Sequence, residues 1–231
     1  MSKRTKADPI SVGIIMDGNR RWAKAHNLAS KEGHSAGRTK AKEIARHAFS
    51  HGVGTLTLYA FSTENWNRSV TEVSYLMQLF SGALTQELEE LLKEGIAVRF
   101  IGDFKRLPKK LRLSMESLEQ RSAATTTGNT LVIALSYGGR AEILAATNHL
   151  LATGKKIVNE KDFSNALWSR GIQDPDIIIR TGGEKRLSNF LTWQSVYSEL
   201  FFTDSFWPEF SNKEFDAILQ DFTTRIRRRG K

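Results

Sequence analysis

The sequence predicts an α/β fold with a mainly parallel six-stranded sheet flanked by helices. Short apolar runs recur along the chain, and longer segments with helical periodicity lie between them. No internal repeat or long Pro/Gly linker interrupts this alternation, which is typical of a mainly parallel sheet covered on both faces. With 231 residues, 40% of them hydrophobic, we expect one domain over residues 1–231 with one substantial core.

The strands are predicted where short apolar runs are rich in β-branched or aromatic residues. These runs are residues 12–16, 55–61, 98–101, 130–135, 177–179 and 200–203. A helix is predicted over residues 40–49, where the apolar side chains fall on one face. Further helical patterns cover residues 72–92, 108–121, 140–152, 161–168 and 213–228. The polar loop 123–129 is too short to divide domains.

The composition of the chain excludes several kinds of chemistry and indicates the charge of its partners. The chain has no cysteine, which excludes disulfides, thiolate-bound zinc and thiolate catalysis. Its net charge of +9 predicts anionic partners such as phosphates, nucleic acid or anionic lipid. Residues 1–10 are polar, are expected to be a flexible N-terminus and lack the apolar run of a signal peptide. No window approaches the ~20 apolar residues of a membrane span, so we expect a cytoplasmic protein.

Polar residues collect after the first predicted strand, where ligands bind in open parallel sheets. The segment consists of Asp17, Gly18, Asn19, Arg20, Arg21 and Trp22. Asp17 can ligate a hard cation such as Mg²⁺, and the two arginines can bind phosphate oxygens. Gly18 can supply a tight turn. The alternative is a capped turn with solvated arginines.

Two further segments follow the second and fifth predicted strands. The first contains Ser62, Thr63, Glu64, Asn65, Trp66, Asn67 and Arg68. The second runs over residues 180–189 and combines two glycines with three cations and a hydroxyl, the composition of a phosphate cradle. It lacks the spacing of a Walker A loop, and a polar turn is the alternative interpretation.

Of the five histidines, His34 alone follows the first loop closely, and it is a candidate for diphosphate contact or proton transfer. The other four are expected at or near the surface, and their spacing does not suggest a metal site. Two anion-binding loops, one well-placed carboxylate and no covalent nucleophile together indicate an enzyme that orients phosphorylated substrates with the help of a metal.

The motifs resemble the cis-prenyltransferase family, whose bacterial type is undecaprenyl diphosphate synthase. Blocks of the family pattern occur in order from residue 13 to about residue 210: residues 13–23, 33–34, 57–68, 101–103, 137–140, 180–184, 186–191 and 197–202. Such an ordered series is far more specific than any one of its motifs.

The resemblance implies Mg²⁺-dependent condensation of isopentenyl diphosphate with an allylic diphosphate, with farnesyl diphosphate as primer. The implied product is undecaprenyl diphosphate, used for the cell-wall lipid carrier. Asp17 and Glu199 would hold the metal, Glu199 near a homodimer interface, and Asn65 would assist proton removal. The implied substrate-binding residues are Gly18, Asn19, Arg20, Arg21, Trp22, Ser30, His34, Ser62, Thr63, Glu64, Trp66, Arg68, Arg180, Arg186, Leu187 and Ser188. The growing chain would need an apolar tunnel, walled by residues 72–92 and 55–60.

Two positions depart from the family pattern. Ser30 stands where the family usually has arginine, and we expect Lys31 or Arg38 to supply the lost charge; the alternative is weaker binding of the allylic diphosphate. Lys185 stands where histidine is common; lysine binds phosphate as a point charge but is no proton shuttle at neutral pH.

Other functions are less compatible with the sequence. A nucleic-acid-binding protein would gather its cations on one face with stacking aromatics, whereas here many cations lie at separate strand ends. The basic tail 225–231 is expected to be a solvated helix end, or to attract an anionic membrane weakly. An inactive scaffold subunit is disfavoured by Asp17, Asn65 and Glu199, and a trans-prenyl synthase by the lack of an aspartate-rich motif. Coupling of two allylic diphosphates into a branched product remains an alternative.

Overall fold

The structure is a computed structural model that describes residues 9–124 and 127–225. Most of the predicted flexible N-terminus lies outside the described residues, as do residues 125–126 of the polar loop and residues 226–231 of the basic tail.

Six strands form one sheet in the order β3-β4-β2-β1-β5-β6, and every neighbouring pair is parallel. The strands are β1 (Ile10–Ile15), β2 (Val53–Ser62), β3 (Ala97–Ile101), β4 (Thr130–Tyr137), β5 (Ile177–Arg180) and β6 (Glu199–Phe202). The predicted fold class is therefore confirmed, and each predicted strand is present with its ends shifted by no more than two residues.

Eight α-helices connect or flank the strands in the described ranges. They are α1 (Asn19–Ala25), α2 (Ser30–Ser50), α3 (Val70–Thr85), α4 (Glu87–Lys93), α5 (Lys109–Ser122), α6 (Gly139–Ala152), α7 (Glu160–Ala166) and α8 (Asn212–Thr224). Short 3₁₀ helices cover Thr63–Asn67, Phe104–Arg106 and Trp207–Glu209. None of the helices in the described ranges is long and apolar enough to cross a membrane.

One helix was predicted as continuous and is not. The pattern over residues 72–92 is divided at Gln86, whose φ of −122° and ψ of −83° are not helical. The break allows Glu87 to approach α2, where its Oε2 accepts a hydrogen bond from Arg38 Nε at 2.9 Å. Hydrophobic periodicity did not reveal this break because both halves bury the same apolar face.

An apolar core covers each face of the sheet. Successive strand residues point to opposite faces, so neighbours in one strand belong to different cores. Ile14 belongs to the larger core, which also contains buried residues of α2, α3, α4, α5 and α8. Its neighbour Ile15 belongs to a second core with Tyr59, Ile178 and Phe190. Because β1 lies between β2 and β5, the loops that follow these three strands converge at one edge of the sheet. These three loops contain the polar segments that the sequence analysis identified after the first, second and fifth predicted strands.

Candidate active site

Asp17 lies at the centre of this edge and is held by cations. Its Oδ2 accepts a hydrogen bond from Arg180 Nη2 at 2.8 Å, and its Oδ1 accepts one from the Gly18 N–H at 2.7 Å. Arg21 Nη2 lies 3.3 Å from Oδ1. Burial alone would raise the pKa of Asp17, but the bond and charge of Arg180 and the charge of Arg21 outweigh it and lower the pKa. Asp17 is therefore a carboxylate at neutral pH.

Arg180 joins Asp17 to the loop that follows β5. Its Nη1 donates to Ser188 Oγ and to the Arg186 carbonyl, both at 2.6 Å, and its side chain is only 5% exposed. Ser188, Asn189 and Leu191 all have positive φ, a conformation that costs roughly 1–3 kcal/mol at a non-glycine residue. The Arg180 bonds help to hold this strained loop, so Arg180 is a structural centre of the site as much as a candidate ligand for phosphate.

Two glycines allow other parts of the chain to pack closely against α1 beside Asp17. Gly18, with φ of 105°, directly precedes α1. It lies so close to Phe206 that an added Cβ would be 2.8 Å from the ring. A Cβ on Gly33 would lie 2.1 Å from the Asn19 carbonyl oxygen. Any side chain at either position would therefore separate these elements. No helix was predicted over residues 19–25, where the structure has α1.

His34 follows Gly33 and lies within the site. Its Nε2 is buried, has no hydrogen-bond partner among the described residues, and lies 3.8 Å from Glu72 Oε1. Burial is the main cause that lowers the pKa of His34 to about 4, and the charges of Arg68 and Arg20 act in the same direction against Glu72. His34 is therefore neutral at pH 7 in this state.

The low pKa of His34 predicts a loss of stability on the acid side. The unfolded imidazole, with a pKa near 6.5, binds a proton more tightly than the folded one, so protonation favours unfolding. Between pH 6.5 and about 4 the free energy of unfolding should fall more steeply in the wild type than in His34→Gln, by about 2–3 kcal/mol at pH 4.5. Urea unfolding at pH 7 and pH 4.5 measures this difference. His149→Gln, which alters an exposed histidine, should follow the wild type; parallel curves for His34→Gln would refute the prediction.

Two polar pockets meet at Asp17. The first, of about 850 Å³, is lined by Met16, Asp17, Gly18, Asn19, Arg20, Arg21, Lys24, Asn27, Leu28, Ala29, Ser30, His34 and Arg68. The second, of about 540 Å³, is lined by Ile15, Met16, Asp17, Asn19, His34, Tyr59, Ala60, Ser62, Glu64, Asn65, Arg68, Leu76, Arg180, Ser188 and Asn189. The two share Met16, Asp17, Asn19, His34 and Arg68 and together contain most of the predicted site residues.

An apolar cavity of about 130 Å³ adjoins both pockets. Met16, Asn19 and His34 line all three spaces. The walls of the cavity are side chains of β2, β4 and helices α2 to α5, including Leu58, Ala60, Leu76, Phe80, Leu88, Leu131, Ile133 and Met115. Residues from both segments predicted to wall a tunnel, 55–60 and 72–92, are therefore among those lining the cavity.

Not every predicted residue lines a pocket. Trp22 Nε1 donates to Glu209 at 2.9 Å, Trp66 Nε1 donates to Ser136 Oγ at 3.0 Å, and Leu187 packs against the second core. Thr63 lies against Gly138. Arg186 is exposed and pairs with Glu184. None of these five residues is among those that line the two polar pockets.

Glu199 lies far from Asp17 within one chain. It begins β6 and is level with Ile177, which is itself level with Val12. Asp17 comes five residues after Val12 in the sequence, a separation of about 16 Å along the strand direction. Glu199 Oε2 instead accepts a hydrogen bond from Arg225 Nη1 at 2.8 Å. A single chain therefore does not bring the two predicted metal ligands together.

Neither of the two cations expected to compensate for Ser30 lines the same pocket as Ser30. Ser30 lines the first pocket, but Lys31 and Arg38 are not among its lining residues, and Arg38 is paired with Glu87 at 2.6 Å. Lys24 lines the pocket instead. Lys24 was overlooked because its position depends on the unpredicted helix α1.

Two further side chains in the site, Glu72 and Asn189, were not among the predicted site residues. Glu72 accepts from Arg68 Nη1 at 2.9 Å and lies 3.8 Å from Arg20 Nη1, so it orders two cations at the junction of the pockets. Asn189 Nδ2 donates to Glu64 Oε1 at 3.0 Å. Burial opposes the charge on Glu64, but hydrogen bonds from Asn189, Ser62 and Thr63 lower the pKa overall.

Known proteins are similar to this chain over almost its whole length. Residues 15–230 match the family model described as putative undecaprenyl diphosphate synthase. The isoprenyl transferase of Fusobacterium nucleatum is 44% identical over 222 residues, which is 96% of each chain. That of Porphyromonas gingivalis is 45% identical over 231 residues, covering 96% of this chain and 90% of the relative.

Solved structures agree. Lavandulyl diphosphate synthase from Lavandula x intermedia, in complex with dimethylallyl diphosphate, superposes with a TM-score of 0.93 at 33% identity, covering 98% of this chain and 100% of that one. A probable undecaprenyl diphosphate synthase from Campylobacter jejuni gives a TM-score of 0.82 at 31% identity, covering 97% and 99%.

The fold, the pockets and these matches define the class of protein as a prenyltransferase enzyme. More particularly, the chain belongs to the cis-prenyltransferase family of isoprenyl transferases and undecaprenyl diphosphate synthases.

Proposed function

We propose that the protein is a cytoplasmic Mg²⁺-dependent enzyme that condenses isopentenyl diphosphate with an allylic diphosphate, using farnesyl diphosphate as primer and giving undecaprenyl diphosphate. The observation that carries this proposal is the contiguity of a cation-rich pocket with an apolar cavity through Met16, Asn19 and His34. An allylic substrate has the same two parts, a diphosphate head and an apolar tail.

The first pocket suits the head of the allylic substrate. Arg20, Arg21, Lys24 and Arg68 line it and can neutralise a diphosphate. Residues of α1 and the start of α2 would bind the head, and the tail would enter the apolar cavity. Elongation requires that cavity to widen as isoprene units are added, and the break at Gln86 is a natural position for α3 and α4 to move apart.

Asp17 fits a magnesium ion because it is ionised and lies in both pockets, and Mg²⁺ prefers one or two carboxylates together with phosphate oxygens. When bound, the ion would supply charge neutralisation to the departing diphosphate. Arg180 and Gly18 each occupy only part of the acceptor capacity of the carboxylate. Asp17 can therefore keep both contacts and still ligate a cation.

The second pocket suits isopentenyl diphosphate. Ser188 and Arg68 would contact its diphosphate, and Arg186 would approach from the rim. Asn65 Oδ1 accepts from the Ser62 N–H at 3.1 Å, which fixes the carboxamide and leaves Nδ2 to donate to a substrate oxygen. The allylic C–O bond breaks, the isopentenyl double bond attacks the electron-poor carbon, and the C2 proton leaves towards a phosphate oxygen held by Asn65.

A homodimer would complete the site. The face around β6 and α6 exposes several large apolar side chains: Leu144, Leu151, Val196, Tyr197 and Leu200. β6 is an edge strand of the sheet, and Glu199 begins it. A second copy bound to this face could contribute Glu199 to the partner's metal site. The excess of cations, +9 overall, suits a weak contact with an anionic membrane where the lipid product leaves.

Incubation with farnesyl diphosphate, labelled isopentenyl diphosphate and Mg²⁺, followed by sizing of the products, tests this function. A ladder of products that ends at undecaprenyl length is expected. A single short product would indicate a short-chain synthase. A branched product from dimethylallyl diphosphate alone would favour the function in the name of the lavender relative.

The two diphosphate sites should separate kinetically. Lys24→Ala should raise KM for the allylic substrate about 10-fold or more, the effect of losing one charge-assisted bond, and leave KM for isopentenyl diphosphate nearly unchanged. Arg186→Ala should do the reverse. Lys31→Ala, which removes the same charge outside the pocket, is the matched control, and Ser30→Arg should restore allylic binding to Lys24→Ala. Equal changes in both KM values would show that the sites are not divided in this way.

A further inference from the structure

A group of three metal-binding side chains lies away from the active site, between α2 and α8. His47 lies in the last turn of α2 and His51, four residues later, caps the C-terminal end of that helix, so the two rings lie one above the other. Asp216 of α8 faces them, and the ligand atoms of all three lie within 4.8 Å of one another. The spacing of these histidines did not predict a metal site, because Asp216 joins them only when α8 packs on α2.

The hydrogen bonds of the two imidazoles indicate which ring nitrogens are available to a metal. His51 Nδ1 lies 2.8 Å from the His47 carbonyl oxygen, so it carries the proton and donates it, and its Nε2 keeps a free lone pair. His47 Nε2 lies 2.6 Å from Asp216 Oδ1. The two rings stack with centroids 4.0 Å apart, and the edge contact of His47 with Phe215 fixes its ring against the core.

We propose that His47, His51 and Asp216 bind a divalent transition metal ion, with Zn²⁺ the best match. Two imidazole nitrogens and a carboxylate are a common zinc ligand set, whereas Mg²⁺ prefers oxygen ligands and more of them. The site therefore differs in chemistry from the one proposed at Asp17. Water would complete the coordination, because this face of the molecule is open to solvent.

Metal binding requires the three ligand groups to rearrange: the stacked rings of His47 and His51 must rotate so that both lone pairs meet one ion, and ligand atoms up to 4.8 Å apart must approach. Ligand atoms at about 2.0–2.1 Å from a tetrahedral ion lie about 3.3 Å apart, so the 2.6 Å contact between His47 and Asp216 must widen by roughly 0.7 Å. The Asp216 side chain is 44% exposed and can move outward. The ion would replace the proton that His47 Nε2 now donates to Asp216, and that proton would pass to solvent.

Bound metal would tie α8 to α2, the helix that also carries Gly33, His34 and Gly37 against α1. The expected consequence is stabilisation of the fold. At a free Zn²⁺ concentration one hundred times Kd, the midpoint of thermal unfolding should rise by about 5–10 °C. His51→Ala should abolish the shift. His149→Ala, which removes an exposed histidine from α6, should keep it.

The test uses tag-free protein stripped with a chelator and titrated with ZnCl₂. The imidazole resonances of the five histidines, recorded by nuclear magnetic resonance, report which of them the ion meets. Two resonances, those of His47 and His51, should move first and together, with saturation at one ion per chain. Asp216→Asn, which preserves the shape of the side chain, should weaken binding at least about 10-fold.

Several outcomes would overturn the proposal. If the His34 resonance moves first, or if Asp17→Ala removes the effect, the ion belongs to the active site. If all exposed histidines move together with several ions per chain, the binding is superficial. If MgCl₂ reproduces the thermal shift, or no imidazole responds, His47 and Asp216 form only a hydrogen bond between two helices.

Discussion

Asp17→Ala is expected to lower kcat for the condensation by about 10²–10³-fold or more, the usual effect of removing a group that stabilises developing charge in the transition state. Asp17 is the carboxylate shared by both polar pockets, and the charges of Arg180 and Arg21 keep it ionised. Under the function proposed above, loss of this charge would remove a ligand of the metal ion that assists departure of the diphosphate. Initial rates at saturating substrates and Mg²⁺ measure the effect.

Stability must be separated from chemistry in this variant. The Arg180 side chain is almost completely buried and would lose its carboxylate partner, which should lower the free energy of unfolding by about 1–3 kcal/mol. Asp17→Asn is the matched control, because it can still accept from the Gly18 N–H and nearly preserves the volume. Both variants should give folded spectra at the assay temperature. A folded Asp17→Ala with the wild-type kcat would refute the metal assignment.

The fold could be predicted well because parallel strands are buried on both faces. Such strands appear as short continuous apolar runs, and residues 177–179 and 130–135 are examples that occur where predicted. The location of the site followed from the parallel arrangement of the strands. Because β1 lies between β2 and β5 and all three run in the same direction, the polar residues that follow them converge at one edge. The sequence therefore predicted most of the residues that line the two polar pockets.

What the sequence could not show depends on the direction of side chains and on distant contacts. Lys24 reaches the pocket because residues 19–25 are helical. The position of that helix depends on two close contacts that only glycine allows, Gly18 against Phe206 and Gly33 against Asn19. Arg38 was expected at the diphosphate, but Glu87 takes it as a partner because the chain breaks at Gln86. Neither contact has a local signal in the sequence.

The position of Glu199 predicts that two inactive variants can restore each other's activity in a mixed dimer. Asp17 follows the carboxyl end of β1, whereas Glu199 begins β6 near the opposite end of the sheet. Both cannot ligate one ion within a chain. If Glu199 acts on the metal, it must do so in a partner related by two-fold symmetry, and each site would combine Asp17 of one copy with Glu199 of the other.

Mixing two inactive variants should then restore activity. Asp17→Ala and Glu199→Ala alone should each be nearly inactive, but in a hybrid dimer one site receives an intact Asp17 from one chain and an intact Glu199 from the other. With equal amounts and full exchange, half of the dimers are hybrids with one working site of two, so about a quarter of wild-type activity should return. The measurement is the condensation rate after mild denaturation and joint refolding, with each variant refolded alone as the control. A mixture that stays inactive although hybrid dimers form would show that Glu199 does not act across the interface. The Arg225 pair of Glu199, at 2.8 Å within the chain, would then be its whole role.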